Sequence, residues 1–240
     1  VFAGRRLRFE YSNKDRENIE RIKRAGRKVF GDVEPYERKL PGGTCTITYH
    51  SSAIAGALMR MGIPAGRKTE QKYYVPKVIL RGSKNIQRAY WYQTMMDEGS
   101  WSCEEPYIRY NQASSLSVKG LSEEEREYID KLLTEERELP SGYCHRFVLI
   151  NKDLKGKIEK EYPNLWRAIE ESEPPYLEEE ASMLERICGA ELEPKPVRIY
   201  TVEGGKYRVI WEIETRSKVN FEKIMKGLGL PKEKHGQEED

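Results

Sequence analysis

Strict alternation of apolar and polar side chains marks three stretches of the chain. In Arg5–Ser12, Leu7, Phe9 and Tyr11 oppose Arg6, Arg8, Glu10 and Ser12. In Thr44–His50, Cys45, Ile47 and Tyr49 oppose Thr44, Thr46, Thr48 and His50. In Lys206–Glu214, Tyr207, Val209, Trp211 and Ile213 oppose Lys206, Arg208, Ile210 and Glu212. A period of two predicts antiparallel strands with one buried and one open face. Helices are predicted at Asp15–Phe30, at residues 84–98 and over about Leu177–Cys188. An amphipathic helix is predicted from Lys119-Gly120 to Glu138, opened by Ser122 with Glu125 at the capping-box position. Trp166 and its apolar neighbours read as core.

The punctuation between these elements repeats. Residues 31–68 present Gly31, Glu34-Pro35, Gly42-Gly43, a strand, a helix, Gly62-Ile63-Pro64 and then Arg67-Lys68. Residues 189–234 present Gly189, Glu193-Pro194, Gly204-Gly205, a strand, a helix, Gly229-Leu230-Pro231 and then Lys232 and Lys234. Each copy reads as a helix with a glycine stop, a hairpin turned at Gly-Gly and a short closing helix. Two such copies predict an α+β chain with a pseudo-twofold arrangement. Residues 1–82 are its first half and 83–240 its second, with an acidic helical insertion at about 117–175.

The open strand faces hold the residue types that read base edges from strands in a major groove. The candidates are Arg6, Arg8, Arg38, Lys39, Thr46, Thr48, His50, Arg109, Asn111, Arg198, Lys206 and Arg208, with Gln112 beside Asn111. The overall charge at first argues otherwise, because 42 Lys+Arg against 40 Asp+Glu leave only +2. Split along the chain, residues 1–120 carry 22 basic and 12 acidic side chains, whereas residues 121–193 carry 10 and 20. One surface suited to a polyanion and another turned to water follow from that split. No apolar run approaches a membrane span, and the arginine-rich start is not a secretory signal. The four cysteines are scattered without a CxxC pair, so neither a zinc knuckle nor a disulfide framework is expected. A cytoplasmic monomer is the expected setting, and richness in Lys and Glu leans towards a thermophilic source.

The helix at 84–98 carries the candidate chemistry. Ser83 can cap its start, Gly99 stops it, and apolar residues cover nearly its whole circumference. It ends in Asp97-Glu98, two carboxylates at the negative end of a helix dipole, which calls for a compensating cation. Acid delivered on a rigid, buried support suits Mg²⁺, which prefers hard oxygen ligands.

The run Trp91-Tyr92-Gln93-Thr94-Met95-Met96-Asp97-Glu98-Gly99 resembles the name motif of the LAGLIDADG homing endonucleases, with Glu98-Gly99 matching its final acid and glycine. Ser51-Ser52 through Leu58-Met59-Arg60-Met61-Gly62-Ile63-Pro64-Ala65-Gly66-Arg67-Lys68-Thr69, then Val75-Pro76-Lys77-Val78-Ile79, is similar to the segment that leads into the second motif helix of that family. The resemblance implies two αββαββα halves whose motif helices pack centrally and whose sheets saddle double-stranded DNA. It also implies metal-dependent phosphodiester hydrolysis, with Glu98 and Gly99 at the metal and a basic residue, Lys72 or Lys68, near the scissile phosphate. Three departures stand out. Tyr92 and Gln93 occupy small-residue positions, Met96 replaces the first acid, and the repeat places the first motif helix ahead of Val1.

Three readings follow. The chain is a site-specific DNA endonuclease, free-standing or once lodged in an intein. Alternatively, it is a catalytically inactive DNA-binding regulator on the same scaffold, or a protein–protein module using its acidic middle. With no terminal Cys or Ser nucleophile and no His-Asn ending, self-splicing is not expected.

Overall fold

The computed structural model describes residues 7–66, 72–133, 136–138, 144–202 and 204–232. The first elements are β1 (Phe9–Asn13), α1 (Arg16–Phe30), β2 (Tyr36–Lys39), β3 (Cys45–Tyr49) and α2 (Ser52–Arg60). A helical turn α3 (Lys77–Leu80) leads into α4 (Lys84–Glu98), β4 (Gly99–Ser102) and β5 (Tyr107–Leu116). The middle segment forms α5 (Glu123–Leu132), β6 (Glu136–Glu138), β7 (Cys144–Leu149), α6 (Lys152–Glu161) and α7 (Pro163–Glu171). The chain then runs through α8 (Pro175–Cys188), β8 (Lys195–Val202), β9 (Lys206–Thr215) and α9 (Lys218–Leu228).

Two antiparallel sheets result, ordered β1-β3-β2 and β4-β5-β9-β8-β7-β6. The sequence repeat is visible in this order. Strand, helix, hairpin and helix recur as β1-α1-β2-β3-α2 and β5-α8-β8-β9-α9, and β1-β3-β2 matches β5-β9-β8 strand for strand. Both hairpins turn where two successive glycines take positive φ: 82° and 83° at Gly42-Gly43, and 84° and 69° at Gly204-Gly205. Residues with a Cβ adopt that region reluctantly, which is why Gly-Gly marks both turns.

Local signals set most helix ends. The Asp15 carboxylate caps α1 by accepting from the Glu17 backbone N–H, and the Ser83 hydroxyl caps α4. Ser122 and Glu125 form the expected reciprocal capping box of α5. Glu125 does more than close its own helix, because its Oε1 also accepts from the Asn164 and Leu165 N–H groups, each at 3.1 Å, at the start of α7. Burial alone would raise this carboxyl, but the hydrogen bonds from Ser122, Leu165 and Asn164 hold it below the ordinary carboxylate value.

Two expectations need correction. The amphipathic helix ends at Leu132 instead of Glu138, because residues 136–138 leave it to pair with residues 144–146 of β7. The middle segment is therefore not wholly helical, and its β7 pairs with β8 to widen the larger sheet. The helix α4 is also more one-sided than its composition suggests. Gln87, Trp91, Met95 and Met96 are buried, while Ile86 and Ala89 are exposed.

The main core packs Trp91, Met95 and Met96 of α4 against Leu177, Ala181 and Leu184 of α8 and against Ile108, Val209, Trp211 and Ile213 of the larger sheet. Trp166 is part of it. The Trp91 indole N–H donates to the Glu180 carbonyl at 3.1 Å, so this large ring is buried without an orphaned donor. A smaller core joins Ile19, Cys45, Ile47, Tyr49 and Ile54 under the β1-β3-β2 sheet.

Candidate nucleic-acid interface and the acidic helix tip

Cross-strand register decides which polar residues share a surface. In the larger sheet Arg109 lies opposite Glu214, Asn111 opposite Glu212, and Ser115 opposite Arg208. On the next strand Tyr200 faces Arg208, Val202 faces Lys206, and Arg198 faces Ile210. Five of the sequence candidates, Arg109, Asn111, Arg198, Lys206 and Arg208, therefore lie on one open face. The Arg198 guanidinium sits 4.7 Å from the Phe147 ring centre and that of Arg109 5.8 Å from the Tyr107 ring centre. These stacking contacts hold two long cations in place.

The face also carries acid. Glu212, 6% exposed, lies 3.8 Å from Arg109 Nε and 4.0 Å from Lys195 Nζ. Glu214 pairs with Lys195 at 3.2 Å and with Arg216 at 2.9 Å. Burial, with Glu214 alongside, pushes the Glu212 carboxyl up to about 7. Although burial opposes it, hydrogen bonds from Arg216, Glu212 and Lys195 bring Glu214 down to about 2. The two carboxylates thus hold one proton between them in the weakly acidic range. Lys195 was missed in the sequence because the β8 run Lys195-Pro196-Val197-Arg198 breaks alternation at a bulge.

The smaller sheet delivers fewer of its candidates. Arg8, Arg38 and His50 are exposed, with Arg8 3.4 Å from Glu10. Thr46 and Thr48 are only 2% and 5% exposed. They lie on the central strand with a neighbour on each side, Ser12 and the longer Arg38 for Thr46, the longer Glu10 and Tyr36 for Thr48, and the Thr46 hydroxyl is engaged by Ser12 at 2.8 Å. Lys39 is exposed but lies opposite Cys45, on the other face from Arg38. Gln112 shares the core-facing parity of Ile108 and Tyr110 instead of the open face. Arg6 and Lys68 lie outside the described residues.

The acidic middle segment packs against the reverse of the larger sheet. Trp211 Nε1 donates to the Ser172 hydroxyl at 3.2 Å, and the Tyr207 hydroxyl donates to Asp130. Both aromatic side chains come from the core-facing positions of β9. The basic face and the acidic segment are therefore separated by the sheet itself.

At the tip of α4 the two acids have different surroundings. Asp97 Oδ1 accepts from the Tyr11 hydroxyl, from Asn13 Nδ2 at 3.1 Å and from Gln93 Nε2 at 2.9 Å. Burial first, then the hydrogen bond and charge of Asp97, raise the Tyr11 hydroxyl well above the ordinary tyrosine value. Asn18, 1% exposed, donates to the Met96 carbonyl at 3.4 Å. Arg21 donates to Gln93 Oε1 at 3.3 Å and stacks 5.3 Å from the Tyr92 ring centre. Arg21 of α1 thus reaches the tip through Gln93, whose amide itself donates to Asp97. The sequence hint was slight: polar Asn18 and Arg21 flank the core residues Ile19 and Ile22 on an amphipathic helix.

Glu98 is exposed at the tip, where its Oε2 accepts from Gln112 Nε2. Gln112 Oε1 in turn accepts from the Tyr176 hydroxyl at 2.8 Å, and the Tyr176 ring stacks on Tyr73 with centroids 4.3 Å apart. Burial pushes the Tyr73 hydroxyl up to about 12. Asp97 and Glu98 open onto a cleft of about 760 Å³ between β1, α2, the Ile63–Gly66 segment and α4. Lys72 does not line this cleft. It is exposed on the wall of a second cavity that shares Tyr176 with the first.

Gly99 begins β4 with its N–H donating to the Met95 carbonyl. A Cβ there would lie 2.8 Å from the Met95 Cα, so close approach of backbone to backbone requires glycine. Among the described residues no three His, Cys, Asp or Glu side chains group as a metal cluster. Mg²⁺ is commonly held by one or two carboxylates, its remaining ligands being water and substrate phosphate. The hard oxygens of the exposed Glu98 carboxylate fit such a partial donor set, whereas Gly99 is buried where β4 pairs with Tyr110 of β5. No helix among the described residues is long and apolar enough to cross a membrane. No protein-family model matches the sequence, and no curated protein matches it.

Proposed function

We propose that the chain is a monomeric, site-specific DNA endonuclease of the LAGLIDADG kind. It would grip duplex DNA with the open faces of its sheets and cut the backbone at Glu98 with a divalent metal. The observation that carries this reading is the presence together of a five-residue basic and amide face and an exposed carboxylate at the tip of a half-buried helix. Arg109, Arg198, Lys206 and Arg208 suit phosphates and guanine edges, and Asn111 suits adenine. Glu98 would hold Mg²⁺, which when bound supplies Lewis acidity at the phosphate and an activated water. Gln112 orients the Glu98 carboxylate, and Tyr176 fixes which end of the Gln112 amide faces it. Asp97, engaged by Tyr11, Asn13 and Gln93, anchors the tip instead of binding metal.

The single exposed acid gives substance to a second reading, a regulator that binds DNA without cutting it. The two separate cleanly in one experiment. Supercoiled plasmids carrying a randomised library are incubated with the protein in Mg²⁺ or in EDTA, and binding is followed by gel shift with Ca²⁺. The endonuclease reading expects Mg²⁺-dependent cleavage that Glu98→Gln abolishes while binding survives. Sequence-specific binding with no cleavage in any metal would refute it and establish the regulator. Absence of DNA retention at physiological salt would sink both.

A further inference from the structure

The second cavity, of about 280 Å³, is bounded by the Ala113–Ser117 end of β5, the turn between α7 and α8, and Lys72. Two of its lining residues carry polar atoms that the protein leaves without partners. Ser114 is 8% exposed, and its hydroxyl has no hydrogen-bond partner. The Glu173 carboxylate oxygen Oε1 is likewise buried without one. Buried polar atoms nearly always find a partner, and an exception calls for an explanation. At the rim stand two exposed ammonium groups, Lys72 and Lys119. Apolar walls come from Ala168, Pro174 and Pro175.

We propose that this cavity binds a small organic zwitterion. Its ammonium or amidinium group is held by Glu173 Oε1 and the Ser114 hydroxyl, and its carboxylate or phosphate by Lys72 and Lys119. The space is roughly nine times the liquid volume of a water molecule, which suits a ligand of amino-acid size. A plain anion would meet Glu173 and the neighbouring Glu171. A plain amine would leave the rim lysines without a counter-charge.

The charged groups around Glu173 are Glu171 on α7, Glu178 on α8, and Lys72 and Lys119 at the rim. Burial and the Glu178 charge push the Glu173 carboxyl up to about 7. A cationic ligand needs it ionised, so affinity should strengthen as pH rises through 7. This assignment is independent of any activity on DNA.

The test is calorimetric titration of the full chain at pH 8 with γ-aminobutyrate, L-lysine and phosphoethanolamine, with butylamine and butyrate as half-ligands. At least one zwitterion should bind saturably, one per chain, about tenfold or more tighter than either half-ligand. Glu173→Gln and Lys119→Met should each weaken that binding by about tenfold, the scale of a lost charged hydrogen bond. The Glu173→Gln variant is isosteric and removes a buried charge, so loss of binding in a folded variant is readable by its unchanged circular dichroism. No saturable binding of any of the three zwitterions would overturn the proposal. So would equal binding in Glu173→Gln, or butyrate binding as tightly as the zwitterions.

Discussion

Replacing Tyr11 with Phe tests whether the first strand clamps the acidic tip. The substitution keeps the ring that packs in the smaller core and removes only the hydroxyl that donates to Asp97. A hydrogen bond to a charged acceptor contributes about 1.5–3 kcal/mol net. Tyr11 is half-buried and Asn13 and Gln93 remain on the same oxygen, so the expected loss is about 1–2 kcal/mol. For a chain of this length that lowers Tm by roughly 2–8 °C. A double-mutant cycle with Asp97→Ala, read by urea unfolding, isolates the pair and should give a coupling of about 1–2 kcal/mol. The hydroxyl also leaves a pH signature. Its folded-state value lies above the ordinary 10.0, so its contribution is full below pH 10 and is lost as pH rises beyond. Tyr11→Phe should therefore flatten part of the alkaline limb of stability. A coupling within the ordinary additivity error of about 0.3–0.5 kcal/mol, with the alkaline limb unchanged, would refute the clamp.

Gly99→Ala should destabilise by about 1–3 kcal/mol, as overpacking does, and should impair any Glu98-dependent cleavage beyond that loss. Thermal unfolding and plasmid assays read the two effects separately. Glu212→Gln should stabilise the protein above pH 7 by about 1–2 kcal/mol. Its carboxyl is raised, so the stability it confers is present below 4.5 and lost as pH rises towards about 7. Glu214, held near 2, acts in the opposite sense: its contribution is present above 4.5 and lost as pH falls towards 2. A urea series across pH 2–8 checks both signs. Glu125→Ala removes the acceptor for three backbone N–H groups at two helix starts, and should cost about 2–3 kcal/mol in denaturant midpoint analysis.

Much of the fold could be read directly from the residues. Ser83 and Gly99 bracket α4 as expected, the Gly-Gly pairs turn both hairpins, and the order of elements repeats as the punctuation does. These are local signals, and local chemistry carries them. The site was less legible because its contacts span the chain. Asp97 meets Tyr11 across 86 positions, and Gln112 meets Tyr176 across 64. No periodicity within one segment encodes such pairs. Thr46 and Thr48 have the alternation of an open face, but alternation records only parity. Exposure also depends on whether a strand is central and on the length of the side chains flanking it. Gln112 is the converse case: its amide suggested the open face, whereas its parity with Ile108 and Tyr110 places it on the core side.

The near-neutral net charge takes on a different meaning once the sheet is in place. The acidic helices pack behind the larger sheet through Ser172 on Trp211 and Asp130 with Tyr207, while Arg109, Arg198, Lys206 and Arg208 lie in front. Layers packed on a sheet stand about 10 Å from it, so acids behind and a polyanion in front are separated by more than that distance. The Debye length is about 8 Å at physiological ionic strength and about 30 Å at 0.01 M. At physiological salt a DNA backbone would therefore feel mainly the front face. At low salt it would also feel the acidic layer, which opposes binding. Counterion release alone predicts log K rising linearly as log salt falls. This charge arrangement predicts that the line bends over at low salt, and that neutralising acids on α5, remote from the open face, straightens it. Such curvature comes from the placement of charge, which a net value of +2 conceals.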